Sequence, residues 1–445
     1  MSRVAYPGEN VPVLNGLAEL VRPALALYLD LHRHPELSGE ERRTAAALAH
    51  WLRDAGYEVT EGVGGHGVVG VLRNGEGPRV LIRAELDALP VEERTGLPYT
   101  SQGPVMHACG HDLHIAAAAG AASLLARARE SWRGTVVVVG QPAEETLAGA
   151  RAVLRDGLYE RFGRPDAVLA QHTAPLLGGM VAHGYGPMLA GSVTFEAVVH
   201  GRGGHAGTPH LAVDPLLTAA AAVLRLQGTV SRESAPTEQV TLNVGSFHSG
   251  TGSNLVPDRA TLGITVRALS ERALDRMTAA VERVVRAECA ASGCPRDPEI
   301  TVVSRSPVTH PDPAATGAVR RAHEELYGPR RVGLWPPAMA TEDFPLYGDA
   351  GLPLHGMAGI PLSYWMLGVV GPKTWAGTPG SPEERLAAQP PNHSPEFAPD
   401  ARTALPTGIT AMASAALNWL GTAPRAAAGA SLPGDQGISR RTVSD

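Results

Sequence analysis

The sequence predicts a mostly parallel α/β body interrupted by an inserted α+β unit, a two-layer arrangement of antiparallel sheet and two helices. Three observations predict it. Apolar runs without polar alternation recur at Arg79–Leu86, Gly134–Gln141 and Asp166–Gln171, the mark of parallel strands buried on both faces. From Ser192 to Arg305 the order becomes strand, helix, two strands, helix, strand, which suits a small antiparallel sheet with both helices on one face. Near Pro311 the first pattern resumes. The larger body is therefore expected over residues 1–190 and 307–424, with the insertion over 191–306. At 445 residues and 44% hydrophobic composition the chain can bury more than one core.

Along the chain, Ser38 and Glu41 read as a capping box opening a helix to about Ala55, with Gly56 where that helix should stop. Two strands then pair around Gly64 and Gly65. The three buried runs follow, and each leads to a chemically capable residue just past its end: Asp87, the pair Glu144 and Glu145, and His172. Open α/β sheets place their ligands at these carboxyl ends. After the first run, Cys109-Gly110-His111-Asp112-Leu113 opens an alanine-rich helix. In the insertion, Asp214 reads as the N-cap ahead of Pro215, and Ser270 as the N-cap of the second helix. Residues 425–445 are rich in Ala, Gly, Ser and Pro without periodicity, as in a disordered tail.

Composition narrows the function. A net charge of -6 argues against nucleic acid or an anionic membrane as the main partner. Lys373 is the single lysine, which excludes a Walker-type phosphate loop. Cys109, Cys289 and Cys294 cannot make a disulfide framework, which fits a reducing compartment. The last two read as ordinary residues at a helix end and in the loop after it. There is no apolar h-region within Met1–Asn10 and no run of 18 apolar residues, so a soluble cytoplasmic protein is expected.

Cys109, His111, Glu144, Glu145, His172 and His393 would be costly to gather in one core unless cations compensated their charge and desolvation. Together they read as a two-metal hydrolytic site. Cys109 and His111, two residues apart at a strand-to-helix turn, can both point into one cleft.

Several segments carry a resemblance: Arg83-Ala84-Glu85-Leu86-Asp87-Ala88-Leu89-Pro90, Met106-His107-Ala108-Cys109-Gly110-His111-Asp112, Glu144-Glu145, Gly203-Gly204-His205-Ala206 and Asn392-His393-Ser394-Pro395-Glu396-Phe397. In this order they resemble the zinc aminoacylase and carboxypeptidase family, in the amidohydrolase branch of hippurate hydrolases and enzymes cleaving indole-acetyl-amino-acid conjugates. The resemblance covers roughly Leu31 to Trp419.

It implies two divalent metal ions held by Cys109, His111, Glu145, His172 and His393. Zinc is favoured by the thiolate, with manganese, cobalt or nickel as alternatives. Glu144 would be the general base towards a metal-activated water, and Asp87 would orient an imidazole ligand from behind. His205 would reach across a dimer interface to the oxyanion. Asn254 and Arg267 would hold the substrate carboxylate. Glu85 stands where the wider family has a histidine ligand and is left out of the set, and Thr341-Glu342-Asp343-Phe344 matches a family signature without an assigned role. The expected partner is a small N-acyl amino acid or similar amide, and the expected assembly a homodimer or higher homo-oligomer. Two other readings remain open: a cysteine hydrolase with Cys109 as nucleophile and His111 as its base, and a silent relative that only binds a metabolite or a protein.

Overall fold

A computed structural model describes residues 14–422; the tail expected over 425–445 lies outside the described residues. A nine-stranded sheet runs Glu58–Val63, Gly67–Asn74, Trp132–Gln141, Arg79–Glu85, Ala167–Leu177, Leu362–Val370, Val181–His183, Val332–Leu334, with Gly421–Thr422 added beside Trp132. Its centre, from Trp132–Gln141 to Leu362–Val370, is parallel. Valine-rich stretches make these strands because β-branched side chains pack well on a pleated surface covered from both sides. One face packs Leu48, Trp132, Trp365 and Ile409 under helices, and the other packs Val69, Val137, Tyr159 and Phe344.

The alanine-rich helix His111–Arg127 is buried from His111 to Leu125, as suits a helix that is apolar all round. Small side chains let the Ala401–Trp419 helix approach closely. A Cβ on Gly120 would sit 2.6 Å from Ile409 Cδ1.

The second sheet is antiparallel throughout, in the order Glu299–Ser306, Gly191–His200, Arg259–Ala268, Val240–Ser249. Helices Pro215–Glu233 and Glu271–Ala291 share a core with it around Phe195, Leu262, Met277 and Val285. Both expected N-caps are present: Asp214 accepts from the amides of Leu216 and Leu217, and Ser270 from that of Ala273. Burial alternates strictly along Arg259–Ala268, so every second residue faces away from the helices. Among the described residues no helix is long and apolar enough to cross a membrane.

Two expectations need correction. Ser38 and Glu41 form no capping box on the helix Arg42–Asp54; Glu36 takes that task, its carboxylate accepting from the amides of Arg43 and Thr44 at 3.0 and 2.7 Å. The two residues are committed to tertiary partners instead. Nor does His172 follow the end of its strand, because Ala167–Leu177 runs through it. The neighbouring Arg79–Glu85 strand pairs with this one only as far as Leu169. His172 therefore rises above the point where its neighbour stops, and the crevice forms there.

Candidate metal centre

The five expected donors converge. Cys109 Sγ lies 3.4 Å from His172 Nε2, His393 Nε2 lies 3.5 Å from Glu145, and His111 Nε2 lies 3.8 Å from Glu145 and 3.9 Å from Glu144. Ligand atoms of Cys109, Glu145 and His393 all lie within 4.8 Å of one another, as do those of His111, Glu144 and Glu145. His111 Nε2 and Glu145 Oε1 are buried without any hydrogen-bond partner. Buried polar atoms seldom stay unpaired. Two orphans that both present lone pairs, close to a thiol and a second imidazole, fit a cation between them.

Local backbone sets the aim of each donor. Gly110 has φ +81°, and a Cβ there would meet Thr173 Oγ1 at 2.7 Å, so only glycine can separate Cys109 from His111 in this turn. Asp87, just beyond its strand, offers its carbonyl to His111 Nδ1 at 2.9 Å and its carboxylate to the Glu145 amide at 2.9 Å. The first contact makes Nδ1 the donor and leaves Nε2 with a free lone pair. Ala143 and Leu147 flank the glutamate pair at φ +51° and +56°, and His393 sits at +70°. Such left-handed conformations in non-glycine residues cost about 1–3 kcal/mol each and persist only where surroundings enforce them. For His393 the enforcement is visible: its amide donates to Ala108 O at 2.8 Å, while the Asn392 side chain bonds the carbonyls of Cys109 and Thr173, both at 3.3 Å.

Sequence reasoning missed the polar layer beneath. Fully buried Arg83 bonds Gln141 Oε1 at 2.9 Å, Glu342 at 2.7 Å, Asp343 at 2.8 Å, and also Glu85. Tyr364 OH donates to Glu342 at 3.1 Å. The 341–344 signature thus contributes two acids to one buried guanidinium, and both lie beside Glu144. Glu85 is likewise committed, to Arg83 and to His114 Nδ1 at 2.8 Å, and His114 Nε2 accepts from the Thr173 amide at 2.8 Å. Both ring nitrogens of His114 are thus engaged, while Glu85 remains in one group with His111 and His172, their ligand atoms within 4.8 Å of one another. Arg83, two residues before Glu85 in a buried strand, was the available signal, since a buried arginine demands carboxylates.

Protonation follows from this crowding. Burial pushes the Cys109 thiol well up, and Glu145 and Glu144 push it further. Glu145 rises to about 7 through burial, opposed by His111 and aided by Asp87. Burial opposes charging of His111, but the Asp87 bond and the charges of Glu85 and Glu145 outweigh it and raise the ring to about 10. His172 falls to about 3 through burial and the nearby His114 and His111 rings. Acidic donors here hold protons that bound cations would displace.

A cleft of about 590 Å³ opens over these groups. Its floor is Cys109, Glu144, Glu145, His172 and His393, and its opposite wall is the outward-facing side of the antiparallel sheet, with Ser192, Thr194, Thr265 and Arg267. Trp335, Tyr364 and Met366 add apolar surface. Arg267 anchors one nitrogen on Met339 O at 2.7 Å and, among the described residues, pairs with no carboxylate. His205 and Asn254 do not line this cleft. Both are exposed on a two-stranded ribbon in which His205 pairs with Leu255 and the Ala206 amide bonds Asn254 O at 3.1 Å. His107 is buried behind the cluster with neither ring nitrogen bonded.

Residues 81–391 match the peptidase family M20/M25/M40. The hippurate hydrolase of Campylobacter jejuni is 36% identical over 71% of this chain and 82% of its own length. The N-acetyl-L-cysteine deacetylase of Bacillus subtilis is 35% identical over 76% of this chain and 80% of its own. A solved dinuclear metal-binding peptidase of the M20 family, also from Bacillus subtilis, superimposes with a TM-score of 0.71 at 28% identity, covering 90% of this chain and 99% of its own.

Proposed function

The chain belongs to peptidase family M20/M25/M40 and is a metal-dependent amidohydrolase, and from that premise we propose that it cleaves the amide bond of N-acyl amino acids, releasing the amino acid and a carboxylic acid. The observation that carries the reading is the convergence of Cys109, His111, Glu145, His172 and His393 around buried, unpartnered donor atoms. These five residues would hold two divalent ions, zinc in first place for the thiolate. When bound, the ions lower the pKa of water and polarise a carbonyl oxygen.

The chain's own groups do the rest. Glu144 is unclaimed by the donor set and would take a proton from the attacking water and return it to the leaving nitrogen. Without cations in the site, burial and Glu342 hold its pKa well up. Asp87 orients His111 through Nδ1. Arg267 would take the substrate carboxylate in the cleft, its guanidinium offering a planar pair of donors. The similarity to a hippurate hydrolase and to an N-acetyl-L-cysteine deacetylase supports this class.

His205 would serve the oxyanion of a second copy of the chain, with Asn254 on the same ribbon contacting its substrate. A dimer formed by the inserted unit (191–306) is supported by the exposed Leu217, Leu224, Leu255 and Phe247, all in this unit, and by the open edge of Val240–Ser249. Free thiols at all three cysteines fit the cytoplasm. Cys109 as a nucleophile gains no support: it contacts His172 and not His111, and burial beside two glutamates pushes its thiol up where a nucleophile needs it lowered.

The test is removal of metal by a chelator, then reconstitution with Zn, Mn, Co or Ni against a panel of N-acyl amino acids. Activity should vanish and return with metal, and Cys109→Ser should hold metal at least about tenfold more weakly, since changes behind a ligand alone cost 10–100-fold. Full turnover in chelator-treated protein would sink the reading.

A further inference from the structure

Ser38 and Glu41 lie on the connection between the helices Leu17–Arg33 and Arg42–Asp54, far in sequence from the glutamate pair. Glu36 O accepts from the Ala88 amide at 2.8 Å and Leu37 bridges Ala88, so this connection is docked along the chain just past Asp87. Fully buried Glu41 then places Oε1 on two amides, those of Gly39 and Ala143, each at 2.8 Å. Ser38 Oγ donates to Asp87 Oδ2 at 2.7 Å, the same oxygen that accepts from the Glu145 amide at 2.9 Å. The amides on either side of Glu144 are thus held from one short segment: residue 143 directly by Glu41, residue 145 through Asp87 by Ser38. Between them Ala143 is kept at φ +51°, a conformation that alanine leaves when unsupported.

We propose that Ser38 and Glu41 are positioning residues that clamp the turn carrying Glu144 and Glu145, fixing where the Glu144 carboxylate points. A buried carboxylate spent on backbone amides, with its second oxygen unpaired, is an expensive way to cap a turn unless the turn must not move. The proposal rests on Glu144 as the proton carrier only for its effect on turnover; the clamp itself is read from the backbone.

The experiment combines amide hydrogen exchange of metal-free protein with steady-state kinetics of metal-loaded protein, on Glu41→Ala, Glu41→Gln and Ser38→Ala. In E41A, exchange over 142–148 should accelerate while 259–268 in the other sheet stays as in the parent. Its kcat should drop about 100-fold with KM nearly unchanged, the scale expected for a misaimed catalytic group. E41Q keeps an oxygen that can accept from Ala143 and should recover most of that loss, and S38A should lose roughly tenfold at most, as one hydroxyl bond would. Parental exchange over 142–148 in E41A, or acceleration spread equally to 259–268 with E41Q no better, overturns the clamp. Should E41A not fold, S38A carries the comparison: its exchange over 142–148 should accelerate with 259–268 unchanged, and parental exchange there overturns the clamp. If Glu144→Gln keeps full turnover, the role of Glu144 falls while the exchange result still judges the clamp.

Discussion

The two sheets handle polar residues in opposite ways. The large sheet buries charge: Arg83, Glu85, Asp87, His111, Glu342 and Asp343 are all nearly inaccessible, held at or beyond strand ends by one another. The antiparallel sheet keeps its interior apolar and shows hydroxyls and Arg267 on its open face. The first arrangement stores reactivity in a fixed, low-dielectric frame, where groups cannot relax and electrostatic effects are large. The second would offer contacts to a ligand that enters and leaves. On the proposed reading, chemistry falls mainly to the first core, with His205 as the exception, and recognition to the second.

Substitutions can break that division, beginning with the strongest. Glu144→Gln should lower kcat about 10³-fold, within the range for a general base, with metal content by elemental analysis unchanged. Loss of metal together with turnover would move Glu144 into the donor set and blur the contrast. His205→Ala, in the other unit, should cost about 10²-fold in kcat as an oxyanion donor would. Mixing H205A with E144Q under subunit exchange should then restore activity, because one site regains both groups; mixtures as inactive as their parts would exclude action across an interface. Arg267→Ala should act on recognition, raising KM for carboxylate-bearing substrates roughly 10–100-fold with kcat little changed, the scale of a charged hydrogen bond. An equal effect on substrates whose carboxylate is amidated would show that Arg267 shapes the cleft without reading the substrate.

Much of the frame was legible from residue patterns because its causes are local. Unalternating valine runs mark strands covered on both faces, and Asp214 and Ser270 cap their helices as their side-chain chemistry dictates. The convergence of Cys109, His111, Glu145, His172 and His393 was legible from their residue types taken with the family resemblance, since such a set is costly to gather without compensating charge. The buried braces were not. Ser38 and Glu41 have the spacing of a cap, and only the nearby Asp87 and Ala143, reached by tertiary contact, decide that they brace instead. Glu342 and Asp343 match a family signature whose role stays unassigned until Arg83, about 260 positions earlier, is seen beneath them. Side-chain patterns report periodicity along one segment and carry no trace of partners brought by topology.

The Asn392 amide that seals the turn at Cys109 reaches across 283 residues of chain. During synthesis at about 5–20 residues per second, the thiol therefore leaves the ribosome roughly 15–60 s before the imidazole next to that asparagine exists. A nascent chain can fold much of its large sheet in that interval yet cannot complete the ligand set. On the proposed ligand set, full metal loading would therefore wait for the final moments of translation or later.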